Sequence, residues 1–219
     1  MKKTSAVFIF SIFWLSLFAQ EKFTVDVKKV GAEIQPAMYG VFFEDINFGA
    51  DGGLYAELIK NRSFEFEHPF VGWTPFGDVK TLKDEPCFDR NPVYVRFNER
   101  GLRTLTGLEN NGFRGIGFEE NAEYMFSFYA KSTDEKEKAF KIELINSLNN
   151  NIGEGEILVR GNGWKKYACR ITSKETDPKG KIRLILKTRG IVDIDHISLF
   201  PVETWKGREN LSFAVENMH

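Results

Sequence analysis

The 219-residue chain reads as a mostly β protein, a jelly-roll β-sandwich preceded by one strand, a polar loop and a helix. Three observations predict this. About seven or eight short runs between Ser63 and Phe200 alternate apolar and polar residues, polar turn signals separate them, and no helical period interrupts them. The 21 Phe favour a pleated, half-buried surface, and 42% hydrophobic residues are enough to build a core.

The N-terminus carries Lys2 and Lys3, then an apolar run from Ala6 to Phe18 broken only by Ser11 and Ser16, then Ala19 followed by Gln20, Glu21 and Lys22. This is the pattern of a secretory signal peptide over residues 1–19. The run is shorter than the roughly 20 apolar residues a membrane span needs. The expected product is secreted or periplasmic, with no membrane span after cleavage. Phe23 to Val30 follows as a strand with Phe23, Val25 and Val27 on one face. Next, the β-prone run Met38 to Phe43 ends in Glu44 and Asp45. It passes through Gly49, Gly52 and Gly53 into a helix, which Asp51 would cap and in which Leu54, Tyr55, Leu58 and Ile59 recur at helical spacing up to Asn61. Ligands of α/β proteins sit beyond the carboxyl ends of strands, which makes Glu44 a functional candidate; a helix-capping loop is the alternative.

From Ser63 the period changes to two. Val93, Val95 and Phe97 share a face, as do Tyr124, Phe126, Phe128 and Ala130, then Phe140, Ile142 and Leu144, then Tyr167, Cys169 and Ile171, then Ile182, Leu184 and Leu186. Turns are expected at Asn111-Gly112, Asn149 to Asn151, Asn162-Gly163 and Asp177-Pro178. In the last run, Ile191 to Phe200, Asp193 and Asp195 share a parity with Ile197 and Leu199. That predicts a bulge or a buried acid, and a buried carboxylate needs a partner.

Thirty basic against 31 acidic residues leave a net charge of -1 with no basic block, which argues against a nucleic-acid partner. Cys87 and Cys169 could pair in an oxidising compartment or stay free and buried; composition leaves both open. His68, His196 and His219 lack zinc-ligand spacing. Asn61 and Asn210 head glycosylation sequons, relevant only in a eukaryotic secretory pathway.

The stretch MYGVFFEDINFGADGGLYAELIKNRSFEF from Met38 to Phe66, with Gly72-Trp73 and SLFPVETWKGREN from Ser198 to Asn210, resembles the N-terminal part of family 51 glycoside hydrolases of the α-L-arabinofuranosidase type. The resemblance implies that residues 20–60 are the first strand and helix of an incomplete (β/α)8 barrel. Residues 61–202 would be an inserted carbohydrate-binding-module-like jelly roll of the CenC type, galactose-binding-like in fold, marked by NRSFE, YMFSFYAKS, GWKKY and DIDHISLFP. Residues 203–219 would be a truncated tail, since the family pattern is lost after Asn210. The implied activity is retaining hydrolysis of terminal α-L-arabinofuranosyl groups by two glutamates on later barrel strands, one of them in an Asn-Glu pair. Neither is matched here, so the chain alone is expected to be inactive. The alternatives are a stand-alone secreted sugar-binding module or an inert fragment.

Residue by residue, the resemblance makes Glu44 a substrate-binding residue. Asn98-Glu99 imitates the acid/base pair but lies inside the β-module and is not expected to be catalytic. Plant cell-wall arabinan or arabinoxylan is the implied partner. Phe76, Tyr94 and Phe113 are candidates for stacking on sugar rings; Trp73 and Trp164, beside glycines at strand starts, are better read as packing residues. No cofactor is required, but modules of this type often hold a structural Ca²⁺, for which Glu65 and Asp195 are similarly placed.

Overall fold

The computed structural model describes residues 23–29, 31–33, 35, 50, 53–101 and 105–204. The chain divides into two units, Met1–Phe42 and Phe43–His219. In the first, Phe23, Val25 and Val27 stand exposed and form no ladder, and Lys29 N–H closes a turn on the Asp26 carbonyl. The strand predicted there is not seen, because an amphipathic strand needs a paired neighbour to hide its apolar face. Glu44 and the capping residue Asp51 lie outside the described residues.

The second unit contains eleven described strands, all paired antiparallel. They are β1 (Trp73–Phe76), β2 (Val79–Leu82), β3 (Tyr94–Glu99), β4 (Thr106–Asn110), β5 (Ile116–Phe118), β6 (Glu123–Ser132), β7 (Lys138–Ile145), β8 (Asn151–Val159), β9 (Lys165–Thr172), β10 (Asp177–Leu186) and β11 (Gly190–Pro201). One sheet has the order β1-β4-β10-β7-β8, with β5 also on β10; the other has β2-β3-β11-β6-β9. Strands β4 and β5 are one line along β10, interrupted by the turn after Asn111: Asn110 faces Ile182, and Ile116 faces Gly180.

The predicted alternations point inward as expected. Val95, Phe97, Phe126, Phe128, Phe140, Ile142, Leu184 and Leu199 are fully buried between the sheets, with Phe140 edge-on to both Phe97 and Phe128. Strand β11 carries both features its sequence predicted: the register slips between Asp195 and Ser198, and Asp193 and Asp195 are completely buried. Asp177-Pro178 corrects the expected turn, for it begins β10, where the Asp177 carboxylate binds Ser147 on the neighbouring hairpin.

The predicted helix is also corrected. Among the described residues, 53–60 form no helix. Their backbone groups are taken by β11 instead: Leu58 N–H donates to the Leu199 carbonyl at 3.0 Å, and Ile197 N–H donates to Arg62 O at 2.9 Å. Strand β3 accompanies β11 only as far as Ile194, so this incoming segment occupies the neighbour's place beyond it. Glu57 secures the junction. Fully buried, it accepts hydrogen bonds from Leu199 N (2.9 Å), Ile59 N (3.0 Å) and Ser198 Oγ (2.5 Å), with Arg62 at 3.4 Å.

Candidate functional site

The outer face of the five-stranded sheet carries the side chains that β3, β11, β6 and β9 turn away from the core. Its two halves differ. Over β3 the loop from Lys83 to Pro92 closes the face. There Arg96 grips buried Asp193 through two bonds of 2.6 and 2.9 Å, and Lys131 reaches Glu85 at 2.7 Å while lying over the rings of Tyr94 and Trp164. Tyr94 donates to Asp84, and Trp164 Nε1 donates to the Glu85 carbonyl. This half is a polar network in which Arg96 and Lys131 each have a carboxylate partner.

The other half is an open groove of about 710 Å³. Strand register sets its plan, because β6 and β11 place their outward residues in rows. Tyr129 lies opposite Asp195 beside His196, Ser127 opposite Ser198, and Met125 opposite Phe200. Phe88, in the middle of the covering loop, stands edge-on to Tyr129 (5.1 Å between centroids) and to His196 (4.5 Å), making one aromatic wall. Tyr55, edge-on to Phe200 at 5.2 Å, makes the other. The two serines lie on the floor between them, and Lys166 of β9 and Arg62 border it. Aromatic walls offer apolar faces, while serine, lysine, arginine and histidine offer hydrogen bonds, the combination that suits a ring with one apolar face and a rim of hydroxyls.

His196 owes its position to the bulge, where it adopts a left-handed backbone with φ 49°. Its N–H donates to Asp195 Oδ1 at 2.7 Å, and its Nδ1 lies 3.1 Å from Asp195 Oδ2 without hydrogen-bond geometry. Burial raises the Asp195 pKa, with the charge of Glu65 adding to it and the contacts with His196 opposing it. The two residues predicted to hold calcium are therefore close enough to sense one another. Yet Glu65 already accepts the Val93 N–H at 2.7 Å, and Asp195 is engaged with a histidine. Among the described residues no group of three or more His, Cys, Asp or Glu side chains is placed to hold a metal ion.

The three stacking candidates do not come together. Tyr94 is fully buried beneath the covering loop, which corrects the expectation of an exposed ring: its hydroxyl donates to Asp84, Lys131 lies over its ring, and Trp164 packs against it nearly at right angles. Phe76 lies across Gly107 on the outer face of the other sheet, and half-buried Phe113 sits in the turn between β4 and β5. Trp73 packs as expected, buried against Phe64 with Nε1 on the Asn61 carbonyl. Glu99 accepts the N–H groups of Gly101 and Thr106 and serves the hairpin rather than chemistry. The Asn61 side-chain nitrogen is committed to the carbonyls of Pro69 and Val71, which removes it as a sugar acceptor in the folded protein. The cysteines are both free, and burial pushes Cys87 up to about 12 and Cys169 up to about 11.

A two-sheet antiparallel sandwich with an aromatic-walled groove on one outer face is the form of a sugar-binding module. Comparison agrees: residues 56–190 match the family described as carbohydrate binding domain, and the chain belongs to that family. Its relatives are α-L-arabinofuranosidases. The chain is 34% identical over 196 residues to the extracellular exo-α-L-arabinofuranosidase of Streptomyces chartreusis, a match over 85% of this chain and 22% of that protein. It is 28% identical to α-L-arabinofuranosidase 1 of Arabidopsis thaliana over 81% of this chain and 28% of that one. The chain thus spans less than a third of the length of these relatives. In structure it superposes on an arabinose-bound family 51 α-L-arabinofuranosidase with a TM-score of 0.71 at 24% identity, over 81% of this chain and 31% of that one. With a xylohexaose-bound xylanase 10B of Clostridium thermocellum the TM-score is 0.50 at 14% identity, over 68% of this chain and 29% of that one.

Proposed function

We propose that this chain is the sugar-binding part of a secreted arabinofuranosidase-type glycosidase, and that it holds arabinose-bearing cell-wall polysaccharide, arabinan or arabinoxylan, in the groove on its five-stranded sheet. The observation that carries this is the row arrangement: two aromatic walls with a hydroxyl floor, open to solvent, on a sandwich of the carbohydrate binding domain family. The names of the relatives support the substrate class, and the basic, apolar and small-residue order of residues 1–19 supports export.

Binding rather than hydrolysis is what the groove supports. Retaining hydrolysis needs two carboxyl groups roughly 5 to 5.5 Å apart flanking the bond. Among the described residues no Asp or Glu lines the groove, and Glu57 and Asp195 beneath it are fully buried. Affinity electrophoresis of the full chain through gels containing arabinan or arabinoxylan tests the reading. The expected result is retardation that falls at least severalfold in Phe88→Ala and Tyr129→Ala, with no release of 4-nitrophenol from its α-L-arabinofuranoside. Migration unaffected by either polymer contradicts it.

A further inference from the structure

We infer that the groove prefers polysaccharides that carry uronic acids beside their neutral sugars. This rests on the sugar-binding reading and adds the charge of the ligand to it. The ionisable side chains lining the groove, apart from the phenols of Tyr55 and Tyr129, are Arg62, Lys166 and His196, all basic types, in a chain whose overall charge is -1. The excess is therefore local.

The three do not count equally. Arg62 has the buried carboxylate of Glu57 behind it at 3.4 Å, which cancels much of its field, although only one nitrogen of its fork is used there. His196 lies on the buried carboxylate of Asp195. Lys166, exposed on β9 opposite Tyr129, makes no ion pair with any described residue. On the opposite face of the sandwich the arrangement is different: Lys141 is bound to Glu143 and Glu154, and Lys181 and Arg183 are bound to Glu109. A sugar whose ring stacks on the wall of Phe88 and Tyr129 would bring a carboxylate at its rim toward the Lys166 ammonium, while the fork of Arg62 could take one further along the floor. Among the described residues no acid lines the groove; at its edge Glu203 is exposed, and Glu123, on the same outward row of β6, is held by Arg170 at 3.2 Å.

One uncompensated, solvent-screened charge is worth a modest factor, so the expected preference is about three- to tenfold at low ionic strength and largely absent at high salt. The test measures affinity of the full chain for glucuronoarabinoxylan and for the same polymer after reduction of its carboxyl groups to alcohols. A higher affinity for the acidic polymer, with the ratio abolished in Lys166→Gln and kept in Lys187→Gln on the other sheet, supports the inference. Equal affinity for the two polymers, or a preference that survives Lys166→Gln, overturns it and leaves the sugar-binding reading standing. Failure to bind either polymer overturns both.

Discussion

Glu57 is the residue on which the incoming chain and the last strand depend. Two buried N–H groups, of Leu199 and Ile59, have its carboxylate as their acceptor, so Glu57→Leu is expected to cost about 3 kcal/mol or more in chemical denaturation, at roughly 1 to 3 kcal/mol for each orphaned group. Desolvation raises its pKa above 4.5, against the opposing hydrogen bonds from Leu199, Ser198 and Ile59. The folded state then binds more protons than the unfolded one in the window above 4.5, and stability falls as pH rises through that window. Glu57→Gln removes this contribution, and a flatter dependence of the denaturation midpoint between mildly acidic and neutral pH is the expected result; an unchanged slope contradicts it. At this scale the sequence was only partly legible. The bulge and buried acids of β11 were visible as a broken alternation, whereas Tyr129 was missed, although it is an aromatic on the outward parity of a strand whose other parity is Phe-rich. Phe88 was missed because nothing in a loop sequence tells which face the loop will cover. Glu57 was hidden by the helical spacing of its neighbours.

Among the elements, the apolar alternations were legible and the glycine-bearing ones were not. Strand β8 reads NIGEGEILV, whose glycines obscure a strand signal but serve a purpose between the sheets. A Cβ on Gly153 would lie 2.5 Å from the Thr172 carbonyl, and one on Gly155 would lie 2.9 Å from Cys169 Sγ; both neighbours belong to β9. These two strands close one side of the sandwich, and glycine lets them approach. Gly153→Ala is expected to lose about 1 to 3 kcal/mol through overpacking against backbone that cannot yield. Gly117→Ala, where a Cβ meets nothing within 4 Å, is expected to be neutral or slightly stabilising, by thermal unfolding of both. The predicted helix failed for a different reason. Its spacing fits a helix, but β11 offers a free edge beyond β3, and pairing with that edge satisfies the backbone while burying Ala56 and Ile59. Tertiary context overrides local period in such a segment.

For the whole molecule, the chain arrives and leaves side by side. Residues 57–62 lie against the end of β11, and the groove between Tyr55 and Phe88 opens at that same place. The opposite face is crossed by the ion pairs of Arg183 with Glu109 and Glu143 and of Lys141 with Glu143. The most direct measurement is an amide NMR titration of the isotope-labelled chain with an arabinoxylan oligosaccharide. Shift changes confined to Phe88, Ser127, Tyr129, Lys166, His196 and Ser198 are expected. Changes centred on β7, β8 and β10, or none at saturating oligosaccharide, would contradict a sugar site on the five-stranded sheet.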